Sequence, residues 1–317
     1  MLLRVLADAC FVRGAALLDQ GSPRKAQALL ALATLFSPAN PHFLYFAAKT
    51  AGALGERDKV ARFCERALSL DPHLIPAHEL LTGNFLHGDP YVLVLERIHR
   101  LLKPRVYVEI GVDAGTSMRV AAPETLCFGV DPAPVVSTAL PPNVRIFAQT
   151  SDSFFARSDL PALIGGSIEL ALIDGMHHFE FALRDFMNLE RLSTPGATIL
   201  IHDCFPHDRL TAGRERRTDF WSGDIWRLVV LLKRYRPDLR IHTIAAPPTG
   251  LGIVRNLNPA SRFIAENLQR LCDEFLALDY SFLDKDRAGK LNLFPNDWSR
   301  IQALFSPFPA SSASPGF

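Results

Sequence analysis

The chain has 317 residues, 48% of them hydrophobic and 21% charged, with a formal net charge of +1. That is the composition of a globular protein with room for two domains; the near-zero charge makes no electrostatic case for nucleic acid, and no apolar run is long enough to cross a bilayer. Five scattered cysteines without a CxxC pair suit a reducing compartment and argue against structural zinc or a disulfide frame, so the cytoplasm is the expected location.

The N-terminal stretch is apolar, but Arg4, Asp8, Arg13 and Asp19 interrupt it. It reads as an amphipathic helix rather than a secretion signal. Residues offset by 34 then match: Gly21 with Gly55, Lys25 with Lys59, Ala33 with Ala67, Pro38 with Pro72. That period is the tetratricopeptide one. The run Ala53-Leu-Gly-Glu-Arg-Asp-Lys-Val-Ala-Arg-Phe-Cys-Glu-Arg-Ala-Leu-Ser-Leu-Asp-Pro72 resembles the second half of such a repeat. Gly55 lets two helices turn, Ala67 lets them pack closely, and Pro72 stops the second. Residues 1–88 are therefore expected to form an all-α, tetratricopeptide-like domain. Two readings stand for it: a helical cap on the catalytic domain, or a groove for a protein partner.

A linker helix is expected within 89–104, with Val94, Ile98 and Leu101 on one face and Pro104 as its stop. From 105 to 256 strands alternate with helices. Strands are expected at 106–110, 126–130, 144–148, 168–173, 197–202, 239–244 and 251–255, and helices near 115–122, 179–192 and 223–236. This alternation predicts an α/β domain with a doubly wound, mostly parallel sheet of seven strands. Ala-Pro-Pro-Thr-Gly between the last two strands suits a hairpin. Beyond it, 257–306 reads as a helical extension, with Ile264, Leu268, Leu271, Phe275 and Leu278 on one face. The small, polar, proline-rich tail 307–317 is expected to be disordered.

The strand ends carry the chemistry. The first runs Val106-Tyr-Val-Glu-Ile-Gly-Val-Asp-Ala-Gly-Thr-Ser117, with glycines four apart after Glu109. The second ends at Asp131, the acidic position about twenty residues after a glycine turn where nucleotide-binding folds hold a ribose. The fourth and fifth end in Asp174-Gly-Met-His177-His178 and in His202-Asp203-Cys204. Gly-Val-Asp-Ala-Gly is not Gly-x-Gly-x-x-Gly, so nicotinamide binding loses its main support.

These motifs together resemble the class I S-adenosylmethionine-dependent methyltransferases. The first is similar to their Tyr-Leu-Glu-Ile-Gly-x-x-x-Gly-x-Ser motif. Asp174-Gly-Met-His177-His-Phe-Glu180, followed by Asp185, resembles the signature of the macrocin-type and cephalosporin-hydroxylase-like O-methyltransferases. Trp221-Ser-Gly-Asp-Ile-Trp226 and Pro248-Thr-Gly-Leu-Gly-Ile-Val are also similar to that subfamily. The resemblance implies S-adenosylmethionine as cofactor and a hydroxylated small molecule, such as a sugar, as acceptor. Gly111 and Gly115 would let the main chain approach its methionine part. Glu109 would reach its amino group, Asp131 its ribose hydroxyls, and Asp152 and Asp174 would complete the binding set. Asp152 has an equal alternative: Ser151 or Asp152 as a helix N-cap. Methyl transfer needs the acceptor hydroxyl to lose its proton. His177 is the candidate base, with Asp174 and Asp203 beside it. In metal-dependent relatives carboxylates at the Asp174 and Asp203 positions hold magnesium. Here His202 would join Asp174 and Asp203 as ligand, a nitrogen that suits manganese, iron or zinc better than magnesium. His178 and His207 read as loop-fixing histidines, and Arg214-Glu-Arg-Arg217 as a solvated loop or an anion site. Two other functions stay open: a partner-binding protein on a vestigial methyltransferase fold, and hydroxylation on the same fold.

Overall fold

The computed structural model describes residues 2–306; the expected disordered tail, 307–317, lies outside the described residues. Five helices come first: α1 Leu2–Asp19, α2 Pro23–Phe36, α3 Pro41–Ala53, α4 Arg57–Leu70 and α5 Ile75–Phe85. Prolines in the first turns of α2, α3 and α5 sit where a missing N–H costs nothing. The two glycines related by the 34-residue offset, Gly21 and Gly55, have φ of +72° and +74° at the turns after α1 and α3. Small residues, including Ala26, Ala33, Ala48 and Ala67, are buried where these helices meet.

Helix α6 (Tyr91–Leu102) comes next. It ends one residue before Pro104 through Lys103, which caps it at φ +45°. The strands are β1 Val106–Ile110, β2 Leu126–Val130, β3 Val144–Phe147, β4 Ile168–Ile173, β5 Ser193–His202, β6 Arg240–Ile244, β7 Leu251–Arg255 and β8 Leu293–Phe294. Between them lie α7 Ser151–Phe155, α8 Leu160–Ile164, α9 Phe179–Leu192 and α10 Trp226–Tyr235, and α11 Phe263–Leu276 precedes β8. The sheet order is β3-β2-β1-β4-β5-β7-β6-β8. Strands β1 to β5 pair in parallel, β7 runs antiparallel to β5 and β6, and β8 is parallel to β6.

The expected seven-stranded sheet is thus an eight-stranded mixed one among the described residues. The C-terminal extension, expected to be helical, supplies β8 because Ala245 N–H and Thr243 N–H find acceptors on Phe294 and Asn292. The helix expected at 115–122 is a single 3-10 turn, Ser117–Val120. Pro123 stands three residues beyond it and leaves no length for an α-helix.

The sheet is covered on both faces. One face carries the core around Val108, Phe128, Ile199, Phe186 and Trp226; the other packs α6 through Val94, Leu95 and Ile98 against Tyr107, Leu170 and Leu200. The helical domain keeps its own core at Leu44, Val60, Leu68 and Leu81. At its end, however, Phe85 and Leu86 join the core of the sheet domain. His87 N–H bonds to Ala245 O at 3.1 Å, and Tyr91 N–H to Pro247 O at 3.0 Å. No helix among the described residues is long and apolar enough to cross a membrane.

Candidate active site

Parallel strands place their carboxyl ends along one edge, and β1, β4 and β5 end side by side there. A cavity of about 730 Å³ opens at that edge. One wall is the turn from Gly111 to Ser117. Gly111 has φ +87°, and a Cβ on it would lie 2.1 Å from the Asp174 carbonyl oxygen. The glycine is required by the neighbouring strand end, whatever occupies the cavity. Asp131 folds this turn: its Oδ2 accepts from the N–H groups of Val112 (2.9 Å) and Asp113 (3.0 Å), and its Oδ1 from Ala133 N–H (2.8 Å). Partial burial works to raise its carboxyl pKa, but those three N–H donors outweigh it and lower the pKa. Asp113 itself sits at φ +46°.

Glu109 is fully enclosed. It accepts from Tyr107 Oη at 2.5 Å and from Ser117 Oγ. Burial pushes its carboxyl up to about 8 despite those two bonds. Ser117, which lines the cavity and bonds to Glu109, connects the enclosed carboxyl to that wall. Asp152 lies on the exposed side of α7, where Arg184 grips both its oxygens at 2.9 and 2.8 Å. The N-cap of α7 is Thr150, which accepts from Ser153 N–H. Asp131, Asp152 and Glu109 are therefore near the turn or beyond it, and none lines the cavity.

The opposite wall is a cluster of titratable groups. His177 Nε2 stands 3.0 Å from Asp203 Oδ2 and 3.7 Å from Asp174 Oδ1. His202 Nδ1 lies 3.0 Å from Asp174 Oδ1 and 3.1 Å from Asp203 Oδ2. Thr249 donates to Asp203 Oδ1 at 2.6 Å, and Tyr91 donates to Asp174 Oδ2 at 3.4 Å. The Tyr91 ring also stacks on His202, with centroids 3.8 Å apart. Burial disfavours both charged imidazoles, yet the two carboxylates overcome it: the pKa of His202 is raised well above its ordinary value, and that of His177 is raised too. Burial likewise opposes ionisation of Asp174, and His202 and His177 more than offset it, holding its carboxyl low. Burial and the nearby Asp174 push the Tyr91 phenol up.

Two of these side chains come from residues in the left-handed region, His177 at φ +51° and Asp203 at φ +58°. Non-glycine residues rarely adopt it, and such strain concentrates at functional sites. Gly223 closes on His177 so tightly that a Cβ would lie 1.9 Å from the His177 carbonyl oxygen. Trp221, two residues earlier, stacks on the His177 ring at 5.1 Å and lines the cavity with Phe220. The carboxylates of Asp174 and Asp203 and the ring of His177 offer three ligand atoms within 4.8 Å of one another, a set able to hold a metal ion. His202, expected as the third ligand, instead bridges the two carboxylates.

Tyr91 was not picked out by sequence reasoning, and Ser117 and Thr249 stood inside motifs without a role of their own. Tyr91 reads as an ordinary residue of an amphipathic helix, and Thr249 as part of a hairpin; only the fold brings them to Asp174 and Asp203. His178 and His207 do fix loops, bonding to Arg214 O (3.0 Å) and Pro248 O (2.6 Å). Arg214 pairs with Glu180 and the buried Asp224 at 2.7 Å each, and Arg217 with Glu215. A second cavity of about 640 Å³ lies beside Glu65, Arg209 and Tyr280. Arg209 there is already paired with Asp279, and no histidine or cysteine among the described residues lines it.

Residues 108–204 match the family described as methyltransferase domain. The match begins in β1 and ends just past Asp203, so it takes in the glycine turn and the ends of β4 and β5, but not Tyr91, the 216–221 segment or Pro248 and Thr249. No curated protein matches the chain. Solved structures similar to it include the O-methyltransferase TomG from Streptomyces achromogenes, involved in tomaymycin synthesis and solved with SAM. It is 14% identical over 64% of this chain and 90% of its own, with a TM-score of 0.41. An O-methyltransferase from Bacillus cereus in complex with SAH is 13% identical over 56% and 86%, at 0.40. The SAH-bound Podospora anserina methyltransferase PaMTH1 is 15% identical over 63% and 95%, at 0.41.

Proposed function

We propose that this chain is an S-adenosylmethionine-dependent methyltransferase acting on a hydroxyl of a small molecule, sugars among the acceptors to be tried. The observation that carries the proposal is one shared cavity. The glycine turn Gly111–Ser117 and the cluster Asp174, His177, His202 and Asp203 open onto the same 730 Å³, so a donor held by the turn and an acceptor held by the cluster would meet. When bound, S-adenosylmethionine supplies an electrophilic methyl carbon whose bond to sulfur breaks as the acceptor oxygen attacks.

The chain's own residues do the rest. The turn offers main chain rather than a side chain at Gly111, whereas Gly115 faces Leu140 and Val136 and not the cavity. Asp131, beside the cavity, fixes the turn through three N–H bonds, and lone pairs left on its carboxylate could still accept ribose hydroxyls. Asp174 borders both halves. An acceptor hydroxyl entering between His177 Nε2 and Asp203 would displace the 3.0 Å contact between them and give its proton to the unprotonated Nε2 of the neutral imidazole. The imidazolium so formed is held by the carboxylates that already favour it. His202 and Thr249 orient Asp203, and Tyr91 and His202 orient Asp174.

The three-atom set of Asp174, His177 and Asp203 favours a second route to the same end. Its mixed nitrogen and oxygen donors would suit manganese more than magnesium. An ion held there would lower the pKa of a coordinated hydroxyl. The test is direct: titrate the protein with S-adenosylhomocysteine, then assay S-adenosylhomocysteine release across a panel of hydroxylated compounds. Binding with turnover on at least one hydroxyl supports the proposal. Absence of binding sinks it, and product carrying a new hydroxyl instead of a methyl group would replace it with the hydroxylase reading.

A further inference from the structure

We infer that the helical domain supports the acceptor side of the cavity from behind, with His78 as a positioning residue. This rests on the methyl-transfer reading and adds what shapes the acceptor's wall. His78 belongs to α5, yet it is 0% exposed and faces the sheet domain. Its Nε2 lies 2.7 Å from Thr218 Oγ1 and 2.9 Å from the Pro72 carbonyl oxygen. Its ring lies flat on Phe220, with centroids 4.8 Å apart and planes 10° apart. Phe220 and Trp221 wall the cavity, and Trp221 stacks on His177. One imidazole of the helical domain thus holds Thr218 and Phe220, the residues that lead into Trp221, whose own Nε1–H donates to Gly213 O at 2.5 Å.

A second line leaves the same helix four residues on, where a side chain returns to the same face. Thr82 Oγ1 is 3.2 Å from His207 Nδ1, and His207 Nε2 is 2.6 Å from Pro248 O. The next residue, Thr249, donates to Asp203. From α5, then, one line ends at His177 and the other at Asp203, the two groups between which the acceptor hydroxyl would enter. The segment between His202, which ends β5, and Trp226, which begins α10, has no regular helix or strand. A connection of that length is fixed only by what it packs against, and His78 and Thr82 supply part of that packing from outside the sheet domain.

The test uses the full chain with its three tryptophans labelled as 5-fluorotryptophan, followed by fluorine NMR. Calorimetric titration with S-adenosylhomocysteine runs alongside. His78→Ala and Thr218→Val are expected to shift the Trp221 resonance while Trp226 and Trp298 stay in place. Thr218→Ser, which keeps the oxygen, is expected to restore the wild-type spectrum. S-adenosylhomocysteine affinity is expected to be unchanged in all three, because none of them touches the glycine turn. If His78→Ala does not fold, the Thr218 pair carries the test alone. A Trp221 resonance that stays in place in folded variants overturns the inference, as do all three resonances moving together. Failure of the wild-type chain to bind S-adenosylhomocysteine would overturn the methyl-transfer reading, and the acceptor role with it, and would be seen in the titration before any variant is compared.

Discussion

The two halves of the cavity are built in opposite ways. The turn side is one continuous stretch, Gly111 to Ser117, shaped by main-chain geometry and by a single carboxylate, Asp131. The cluster side is made of side chains from the ends of β4 and β5, the start of α6, the 216–221 segment and the 248–249 turn. Its inner contacts reach as far as α5 in the helical domain. A half made by local main chain tolerates change in the rest of the molecule; a half made by five distant segments depends on all of them.

Two glycines test this difference most severely. A side chain at Gly111 would meet the Asp174 carbonyl and one at Gly223 the His177 carbonyl, and both residues have positive φ. Each alanine variant should lose more than about 3 kcal/mol if the backbone does not shift. In whatever folded protein is recovered, Gly111→Ala should abolish S-adenosylhomocysteine binding, whereas Gly223→Ala should retain binding and lose turnover. Equal loss of binding in both would mean that the halves are not separable.

Next in size are the reacting groups. A general base is worth roughly 10²–10⁴-fold. His177→Ala and Asp203→Asn should each reduce turnover within that range, with cofactor affinity near wild type. Chelator separates the two mechanisms. Activity lost on chelation and restored by one particular ion assigns Asp174, His177 and Asp203 to a metal; activity indifferent to chelator leaves His177 as base. Full turnover in both variants would remove the cluster from the chemistry.

On the turn side, Asp131→Ala should weaken S-adenosylhomocysteine binding by about 1.5–3 kcal/mol for each charge-assisted bond lost. The variant also frees the N–H groups of Val112 and Asp113 that now define the turn. Turnover at saturating cofactor should recover. An affinity equal to wild type would take Asp131 out of the site.

How much of this was legible in the sequence divides along the same line. The strand bounds 106–110, 126–130, 168–173 and 251–255 and the helix 179–192 agree with the structure, because apolar runs between turn residues are local signals. The Gly111 turn, Asp131, and the pair of carboxylates at the ends of β4 and β5 were visible for the same reason. Tyr91 and His78 were not, and Thr249 stood in a motif with no role assigned to it. Each looks like an ordinary residue of its own element and acquires its partner only across the fold, His78 and Thr218 being 140 positions apart. The eighth strand was missed because Leu293–Phe294 is two residues long. The boundary placed near residue 88 likewise hid how far Phe85 and Leu86 enter the other core.

The last expected effect, on stability and not on turnover or binding, lies outside both halves, on the face of α9 beneath the cluster. Asp185 is 4% exposed, and its Oδ1 has no hydrogen-bond partner among the described residues. Burial pushes its carboxyl up to about 7, against a bond from Ser151, with Asp152 adding to the rise. In the unfolded chain the same group titrates near its ordinary value of about 3.9. Between those two pH values the folded protein keeps a proton that the unfolded chain has released. Its contribution to stability is therefore complete below about pH 4 and is lost as pH rises through about 7. Asparagine has the same shape and cannot ionise. Relative to wild type, Asp185→Asn should gain stability as pH is raised from 4 to 8, because wild type alone must then hold a buried carboxylate. Urea unfolding of both proteins at pH 4, 6 and 8 measures this. A stability difference that does not change with pH would show that Asp185 is already ionised in the folded chain, held by the Ser151 bond or by Arg184 on the neighbouring position.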